Sequence, residues 1–441
     1  MKTLSRNCLS LLLVLMAPLP LRSQPSNGDW NKVPLTALKV GVAEADITPA
    51  VGIPLAGYVG RTGGSTDIHD PLKVVAVVFD DGRSKAAILS FDSIQLLQAD
   101  GDDLLRAITK VTNIPATHIV FNASHTHAAP WLSTDASYRQ TVISRVVQAV
   151  QVAVDRRKPV SLGYGEGAID FNINRRAINA EGKSVIGLNP SGPNDKRVKI
   201  LRIDADDSIE PLALVKNAAC HANVFRDANK QISADFPGLA KSFVERAFNG
   251  RTTAMYLQGC AGDLRANLPP LSTGWRNGSE ADMTWAAWSL GAEAVQVSVA
   301  LRVSEQLQRR SRDLKIFAAA DTLHLAADPE KLKNPSALRR DRIEKGKIIF
   351  PIRTLAIGEF LFISLPGEPV IEYGLGIEQD LASLGKKVFV LGYGAGDVGY
   401  IPVKRMMPEG GYETEGPYWA ESEAAIRAGV KNLVSKMFSQ K

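Results

Sequence analysis

The chain has 441 residues, of which 45% are hydrophobic and 22% are charged. This balance is typical of an ordinary globular protein and excludes a largely disordered chain. The formal net charge is +6, of which three basic residues among the first 23 account for +3. The remaining basic residues are spread along the chain, with pairs such as Arg309-Arg310 and Arg339-Arg340, so the sequence does not predict a nucleic-acid groove.

Residues 1–23 have the features of a signal peptide. Lys2 and Arg6 supply positive charge, an apolar run over residues 11–21 follows, and Ser23 is a small residue suited to cleavage before Gln24. The run is shorter than the ~20 residues of a spanning helix, although an N-terminal anchor helix is the alternative interpretation. We therefore predict an exported protein, periplasmic or extracellular, with no transmembrane segment in the mature chain.

The rest of the chain is predicted to be one domain, residues 38–441, after an N-terminal linker at residues 24–37. Strand and helix patterns alternate from residue 38 without a long Gly/Ser/Pro linker. Residues 74–79 and 86–91 are apolar runs joined through Asp81-Gly82, which predicts a hairpin. Further strands are predicted at residues 119–123, 212–219, 254–257, 352–363 and 388–391. Helices are predicted at residues 138–154, 236–248, 285–307, 370–384 and 421–438.

Hairpins mixed with helices indicate the fold class. We expect a mixed α/β protein in which mixed and antiparallel sheets are covered by helices, rather than a purely parallel sheet. The two cysteines of the mature chain, Cys220 and Cys260, leave two alternatives open, because they can form one disulfide in an oxidising compartment or be small buried residues near strand ends.

Only six histidines occur, and three of them follow predicted strands. His125 and His127 come after residues 119–123, and in an extended backbone positions i and i+2 project to the same side. His221 follows the strand at residues 212–219. Three imidazoles at strand ends are a plausible ligand set for a catalytic zinc ion, which usually keeps a fourth position for water. Hydrogen-bonded histidines at the end of a strand are the alternative.

Other residues at strand ends are weaker evidence for a functional site. Glu368 follows the predicted strand at 352–363 and is a candidate ligand or base, or a carboxylate in the first turn of a helix. The glycine-rich stretch 392–396 lacks the Lys-Ser/Thr ending of a phosphate-binding loop.

Several short motifs follow one another along the chain. They are Val40-Gly41-Val42-Ala43-Glu44-Ala45-Asp46-Ile47-Thr48-Pro49, Gly57-Tyr58, Ala123-Ser124-His125-Thr126-His127-Ala128-Ala129-Pro130, Asn174-Arg175, Ile232-Ser233-Ala234-Asp235, Ala261-Gly262-Asp263, Pro366-Gly367-Glu368, Gly399-Tyr400 and Gly411-Tyr412. In this order they resemble the catalytic domain of the neutral, non-lysosomal ceramidases over residues 40–412.

The resemblance implies roles for particular residues. It implies that a zinc ion, Zn2+, is held by His125, His221, Glu368 and Tyr400. It also implies that the scissile carbonyl is surrounded by His127, Arg175 and Tyr412. On this view His127 moves a proton and is not the third metal ligand that the strand pattern alone suggests.

The chain departs from the family in two places. The family carries a serine in its Gly-Asp segment, whereas this chain has Gly262-Asp263-Leu264-Arg265-Ala266-Asn267, which argues against true ceramidase activity. Arg265 is then expected either to project towards the metal pocket and bind an anionic substrate group, or to turn away and pair within the scaffold. The chain also ends near the last predicted helix, so we expect it to lack the family's immunoglobulin-like C-terminal domain.

These observations predict an exported zinc-dependent hydrolase that cleaves an amide or ester bond of a small-molecule or lipid-like substrate through zinc-activated water. Two alternatives remain. A non-catalytic zinc- or ligand-binding protein would keep the fold without turnover. An amidohydrolase-type barrel would need two more downstream histidine ligands, but His324 is the only histidine after His221.

Overall fold

The computed structural model describes residues 38–205, 208–268, 276–303, 314–333 and 342–439. The predicted signal peptide and linker, residues 1–23 and 24–37, therefore lie outside the described residues. The described residues belong to one compact unit, Thr36–Lys441. Among them, no helix has the length and apolar character needed to cross a membrane.

Strands and helices alternate along the described part of the chain. The strands are β1 Lys39–Asp46, β2 Asp67–Ile68, β3 Lys73–Asp80, β4 Lys85–Phe91, β5 Ile119–Ala123, β6 Lys158–Ala168, β7 Asn172–Ile178, β8 Ser184–Asn189, β9 Arg197–Ala205, β10 Ala213–Ala218, β11 Gln231–Ile232, β12 Thr253–Gln258, β13 Leu264–Ala266, β14 Ile316–Ala326, β15 Ile343–Glu344, β16 Lys347–Ile357, β17 Phe360–Pro366, β18 Glu368–Pro369, β19 Lys387–Gly394 and β20 Tyr400–Ile401. The α-helices are α1 Gln98–Thr112, α2 Ala136–Asp155, α3 Asp235–Ala247, α4 Glu280–Val303, α5 Ile371–Asp380, α6 Met406–Glu409 and α7 Ser422–Ser439.

Two large mixed sheets form the framework. The first has eight strands in the order β12-β10-β9-β6-β1-β3-β4-β5, with parallel pairs at its two ends and antiparallel pairs between them. The second has the order β14-β16-β17-β19, with β15 paired to β16 and one parallel pair, β17 with β19. The predicted mixed α/β class is therefore confirmed.

The sheets pack face to face, and helices cover their outer faces. In β3, Val75 and Val77 lie in the core that also contains Phe362 of the second sheet, whereas Val74 and Ala76 lie in the core that contains α2 residues. Successive side chains of a strand point to opposite faces, so a strand covered on both sides must be apolar throughout. Helix α7 packs against β14 and β16 on the far side of the second sheet.

The predicted elements mostly agree with this architecture. The hairpin through Asp81-Gly82 is confirmed as the antiparallel pair β3 and β4. The single strand predicted at residues 352–363 is wrong, because the chain turns at Gly358 and forms β16 and β17. Gly358 has φ 59°, a conformation that favours glycine. Because the residues on both sides of this turn are apolar, the hydrophobic pattern continues across it and gives no sign of the turn. Cys220 and Cys260 are both free and buried, so they do not form the disulfide left open above.

A buried lysine is the least expected feature of the first sheet. Lys216 on β10 is fully buried, and its Nζ has no hydrogen-bond partner among the described residues. Burial, with the nearby cation of Lys241 as the next cause, lowers the pKa of Lys216 to about 7. Lys241 itself is paired with buried Asp92, Nζ to Oδ2, at 2.5 Å.

We expect Lys216→Met to stabilise the fold by about 1–4 kcal/mol at pH 7, because it removes a buried amine that lacks a partner. Between pH 7 and about 10.5 the unfolded chain keeps a proton that folded Lys216 has released. The free energy of unfolding of the unaltered chain should therefore rise with pH in this window, and the variant should lack that rise. Urea unfolding at pH 7 and pH 9 measures both effects.

Lys241→Met is the matched control for this prediction. It leaves Asp92 buried without its counter-ion and should destabilise the fold by about 3–5 kcal/mol. Equal destabilisation by the two substitutions would contradict the assignment of Lys216 as an unpaired charge.

Candidate metal centre and pocket

The framework brings the ends of several strands to one edge. His125 and His127 follow β5, and His221 follows β10. Glu368 lies in β18, directly after β17, and pairs in parallel register with Tyr400 in β20. β10 pairs in parallel with β12, and Asn122 near the end of β5 and Gln258 at the end of β12 are hydrogen-bonded to each other, so residues distant in sequence meet there.

Two buried amides fix the loops that carry the histidines. Asn122 Nδ2 donates hydrogen bonds to the carbonyl oxygens of Gln258 (3.0 Å) and Gly392 (2.7 Å), which link β5 to β12 and β19. Gln258 Nε2 donates to the carbonyl oxygens of Ser124 (3.0 Å) and Cys220 (2.7 Å). These carbonyls immediately precede two of the histidines, so one side chain sets the position of both.

The backbone at His125 is not extended. β5 ends at Ala123, and His125 has φ 63°, a left-handed conformation that is uncommon for residues other than glycine. The rings of His125 and His127 nevertheless meet at 90°, with centroids 4.8 Å apart. The sequence-based reason for their convergence, alternation along a strand, was therefore wrong, and a strained turn performs that task instead.

The ring nitrogens of the three histidines converge. His125 Nε2 lies 3.2 Å from the Nε2 atoms of both His127 and His221. The candidate ligand atoms of the three residues all lie within 4.8 Å of one another. Ligands at zinc distances of about 2.0–2.1 Å in a tetrahedron stand about 3.3–3.4 Å apart, so the spacing fits a shared metal ion.

Backbone carbonyls fix the orientation of two of these rings. His125 Nδ1 donates to the carbonyl oxygen of Ile94 at 2.7 Å, and His221 Nδ1 donates to that of Ala261 at 2.8 Å. A carbonyl oxygen only accepts, so in each neutral ring Nδ1 carries the proton and Nε2 presents a lone pair to the cluster. Two lone pairs that face each other at 3.2 Å are suited to holding a cation.

Glu368 and Tyr400 complete the cluster. Glu368 Oε2 lies 3.1 Å from His125 Nε2 and 3.3 Å from His221 Nε2. The Tyr400 hydroxyl lies 3.4 Å from His221 Nε2. The separations again match those of ligands around one ion.

The pKa shifts of His127, His221 and Glu368 favour the forms that bind metals, whereas burial raises the pKa of Tyr400 well above its usual value. Burial, followed by the positive charge of Arg175, lowers the pKa of His221 to about 4. Burial also lowers the pKa of His127 well below its usual value. Burial raises the pKa of Glu368, but the neighbouring His125 and His221 outweigh it and hold that pKa well below its usual range. At neutral pH His127 and His221 are therefore neutral imidazoles and Glu368 is a carboxylate.

His127 differs from the other two histidines. Its Nδ1 is buried, has no hydrogen-bond partner among the described residues, and faces Gly57. Gly57 has φ 96°, and a Cβ added there would lie 2.4 Å from His127 Nδ1. The glycine therefore provides the space for the ring, while Arg61 Nη1 donates to the His127 carbonyl oxygen at 2.7 Å. No carbonyl dictates the tautomer of this ring, which suits a residue that exchanges protons.

Arg175 and Tyr412 lie beside the cluster. Arg175 Nη1 is 3.5 Å from His221 Nε2, and its guanidinium lies 5.2 Å from the centroid of the Tyr400 ring and 5.7 Å from that of Tyr412. The two tyrosine rings are 5.0 Å apart. Arg175 is buried, whereas Tyr412 is 44% exposed. These groups offer a cation and a phenol at the edge of the cluster.

Part of the cluster lines a pocket of about 360 Å³. His125, His127, Glu368, Tyr400 and Tyr412 line it on the polar side. The apolar side is formed by Pro54, Leu55, Ala56, Val59, Ile94 and Trp131. A pocket that joins an apolar wall to a few convergent polar groups is typical of a small-molecule site.

Arg265 lies outside the lining of this pocket. It is buried on β13, where its Nε donates to the carbonyl oxygen of Ala266 and its Nη2 to that of Arg276, both at 3.1 Å. Asp263, the pairing partner considered from the sequence, instead accepts hydrogen bonds from Asn174 Nδ2 (2.7 Å) and the Ile371 amide (2.8 Å). The contacts of Arg265 favour its scaffold role over the anion-binding role.

Sequence reasoning missed several residues that support the site. Asp263 joins β7 to the start of α5, because its backbone oxygen also accepts from the Arg175 amide at 2.8 Å. Gln258 and Asn122 are polar residues at the ends of apolar strands, a signal that was present but not used. Glu413, which binds Arg175, had no such local signal.

A model of the N-terminal domain of neutral/alkaline non-lysosomal ceramidases matches residues 38–283. No curated protein matches the chain.

Two solved structures share the fold. The neutral ceramidase from Pseudomonas aeruginosa has a TM-score of 0.71 and 18% sequence identity, over 90% of this chain and 74% of that one. A structure described as ceramidase complexed with C2 has a TM-score of 0.72 and 17% identity, over 89% of this chain and 74% of that one. At these identities the likeness establishes the fold alone.

Proposed function

We propose that this chain, which belongs to the neutral/alkaline non-lysosomal ceramidase family, is a zinc-dependent hydrolase of an amide or ester bond. One observation carries the proposal: three imidazoles and a carboxylate converge at the spacing of metal ligands, and the carboxylate and two of the imidazoles line a pocket. The family itself is one of hydrolases that act on an amide bond, so an amidase is the first expectation.

The proposed zinc ligands are His125, His221, Glu368 and Tyr400. Histidine and carboxylate donors are typical of catalytic zinc, which would supply a Lewis acid and lower the pKa of a bound water towards about 7, whereas Tyr400 is an unusual ligand that the family resemblance implies. The lone pairs that His125 and His221 direct at each other, and the Glu368 oxygen between them, support a cation at this position.

The side chains around the ligands supply the remaining chemistry. Arg175 and Tyr412 are hydrogen-bond donors that would orient the scissile carbonyl and stabilise negative charge on its oxygen. His127, kept neutral by burial and with Nε2 facing the cluster, would accept a proton from the attacking water and return it to the leaving group. The apolar wall of the pocket would bind the acyl part of a small-molecule or lipid-like substrate and exclude bulk water.

We further propose that the mature chain is one domain, residues 38–441, exported to the periplasm or the extracellular space. The sequence features of residues 1–23 support this proposal. Mass spectrometry of protein recovered from culture medium and periplasm would detect the mature N-terminus.

A substrate screen tests the hydrolase proposal. Metal-replete protein should release product at a steady rate from at least one amide or ester in a panel of lipid-linked and carbohydrate-linked compounds, and His125→Ala should not. Zinc binding without steady release from any member would instead support the non-catalytic binding protein.

The same screen tests the role of Arg265. We expect Arg265→Met to lower the melting temperature, since two carbonyl oxygens lose their donor, and to leave the ratio of KM values for anionic and neutral substrates unchanged. Arg265→Lys is the matched control, because it keeps the charge but lacks the fork of donors. A rise in KM confined to anionic substrates would overturn the scaffold role and support anion binding by Arg265.

A further inference from the structure

Glu413 is a buried carboxylate that contacts the site through an arginine. It is 1% exposed, although it sits in the short turn Tyr412–Thr414 at the protein surface. Its Oε1 accepts a hydrogen bond from Arg175 Nε at 2.8 Å, and its Oε2 accepts one from Arg176 Nη1 at 2.6 Å. Burial raises its pKa, but the two arginines outweigh this effect and keep the group ionised.

The bond to Nε determines how Arg175 is presented. A guanidinium is planar, so fixing Nε and the chain leaves one direction for the two terminal nitrogens. In Arg175, Nη1 points to His221 Nε2 at 3.5 Å, and buried Nη2 has no hydrogen-bond partner among the described residues. Glu413 therefore fixes the direction from which Nη1 of Arg175 approaches the edge of the metal cluster.

The same residue anchors Tyr412. Glu413 follows Tyr412 directly, and the segment enters through Gly410 and Gly411, with φ 67° and 93°. Tyr412 is 44% exposed and contacts Tyr400 and Arg175 with its ring, whereas its neighbour Glu413 is enclosed between Arg175 and Arg176. Arg176 Nη2 also donates to the carbonyl oxygen of Gly410 at 2.8 Å, so the ion-pair cluster around Glu413 holds the start of this segment as well.

We propose that Glu413 is the positioning residue of this site, which orients Arg175 and seats Tyr412 over the pocket through a single buried ion-pair cluster. The inference rests on the proposed function, in which Arg175 and Tyr412 face the scissile carbonyl. Glu413 itself contacts no part of the pocket, so it acts through its neighbours and is not a catalytic residue.

Steady-state kinetics of zinc-loaded Glu413→Gln test the proposal. The neutral amide cannot bind both arginines as a carboxylate does, so kcat should fall about 10- to 100-fold with KM and zinc content nearly unchanged. Glu413→Asp keeps the charge and should recover part of kcat. A purely structural role would instead lower stability and the amount of folded protein, and leave kcat per folded molecule unaltered.

Glu409 provides the matched control. Its Oε2 accepts from Arg176 Nη2 at 3.1 Å and its Oε1 from Arg405 Nη1 at 2.9 Å, so it joins the same cluster from the surface without touching Arg175. Glu409→Gln should keep the kcat of the unaltered chain. If Glu409→Gln lowered kcat as much as Glu413→Gln does, the proposal would be overturned. Any weakening of the ion-pair cluster would then be enough to lower kcat, and Glu413 would have no special role.

A double-mutant cycle and a crystal structure cover the remaining outcomes. In an Arg175→Lys background, Glu413→Gln should add little further loss, and an undiminished loss would overturn the proposal. If the unaltered chain hydrolyses no substrate at all, the proposed function fails, and the crystal structure of Glu413→Gln decides the inference. A guanidinium of Arg175 that keeps its place beside Tyr400 in that structure would refute it.

Discussion

His221→Ala should lose both zinc and hydrolytic activity while the chain keeps its fold. Its Nε2 lies within 3.5 Å of His125, Glu368, Tyr400 and Arg175, so it occupies the centre of the cluster. Loss of a residue that merely supports a metal ligand lowers metal affinity or activity about 10- to 100-fold, and loss of a ligand should exceed that. Zinc content by elemental analysis, activity and circular dichroism on the same sample measure the outcome.

Two further histidine variants control this prediction. His324→Ala removes an exposed histidine on β14 and should keep about one zinc per chain, the stoichiometry of a mononuclear catalytic site. His127→Gln should keep zinc but lose activity if His127 moves protons, as we propose. Loss of zinc from His127→Gln would restore it as the third ligand, and full zinc occupancy in His221→Ala would show that the proposed ligand set is wrong.

The sequence predicted those parts of the site that depend on local patterns. Residues directly after apolar strands, such as His125, His221 and Glu368, were found because strand ends meet at one edge of a sheet. Tyr400 and Tyr412 came only from the resemblance to the ceramidases, since glycine followed by tyrosine has no distinctive chemistry. The left-handed turn at His125 was not predicted, because hydrophobic alternation carries no information on φ after a strand ends.

Contacts between residues far apart in the chain could not be predicted from the sequence. Glu413 binds Arg175 across 238 positions, and neither residue belongs to a pattern that suggests the other. Arg265 was expected near the metal pocket from its place in a motif. Arg265 instead pairs with Ile173 of β7 in the sheet, and its guanidinium donates to the backbone carbonyl oxygens of Ala266 and Arg276. The fold class depended on hairpin and helix patterns repeated along the chain, so one misplaced turn at Gly358 did not change it.

Arg175→Met should lower kcat about 100- to 1,000-fold, the usual effect of removing one donor that stabilises an oxyanion, while zinc binding persists. Arg175 lies beside the cluster without being a proposed ligand, since its Nη1 only approaches His221 at 3.5 Å. Arg175→Met should remove transition-state stabilisation and leave metal binding intact. His221→Ala should remove both. Parallel measurement of kcat, KM and zinc content is therefore the decisive experiment.

The controls for Arg175→Met follow from its contacts. Arg175→Lys keeps a positive charge near Glu413 but lacks the Nε donor that Glu413 binds, so it should recover only part of kcat. Arg106→Met removes an exposed arginine that pairs with nearby Asp103, and it should leave kcat unaltered. If Arg175→Met raised KM alone, Arg175 would bind the substrate equally in its ground and transition states. The oxyanion would then have to be stabilised by Tyr412 and the metal centre without it.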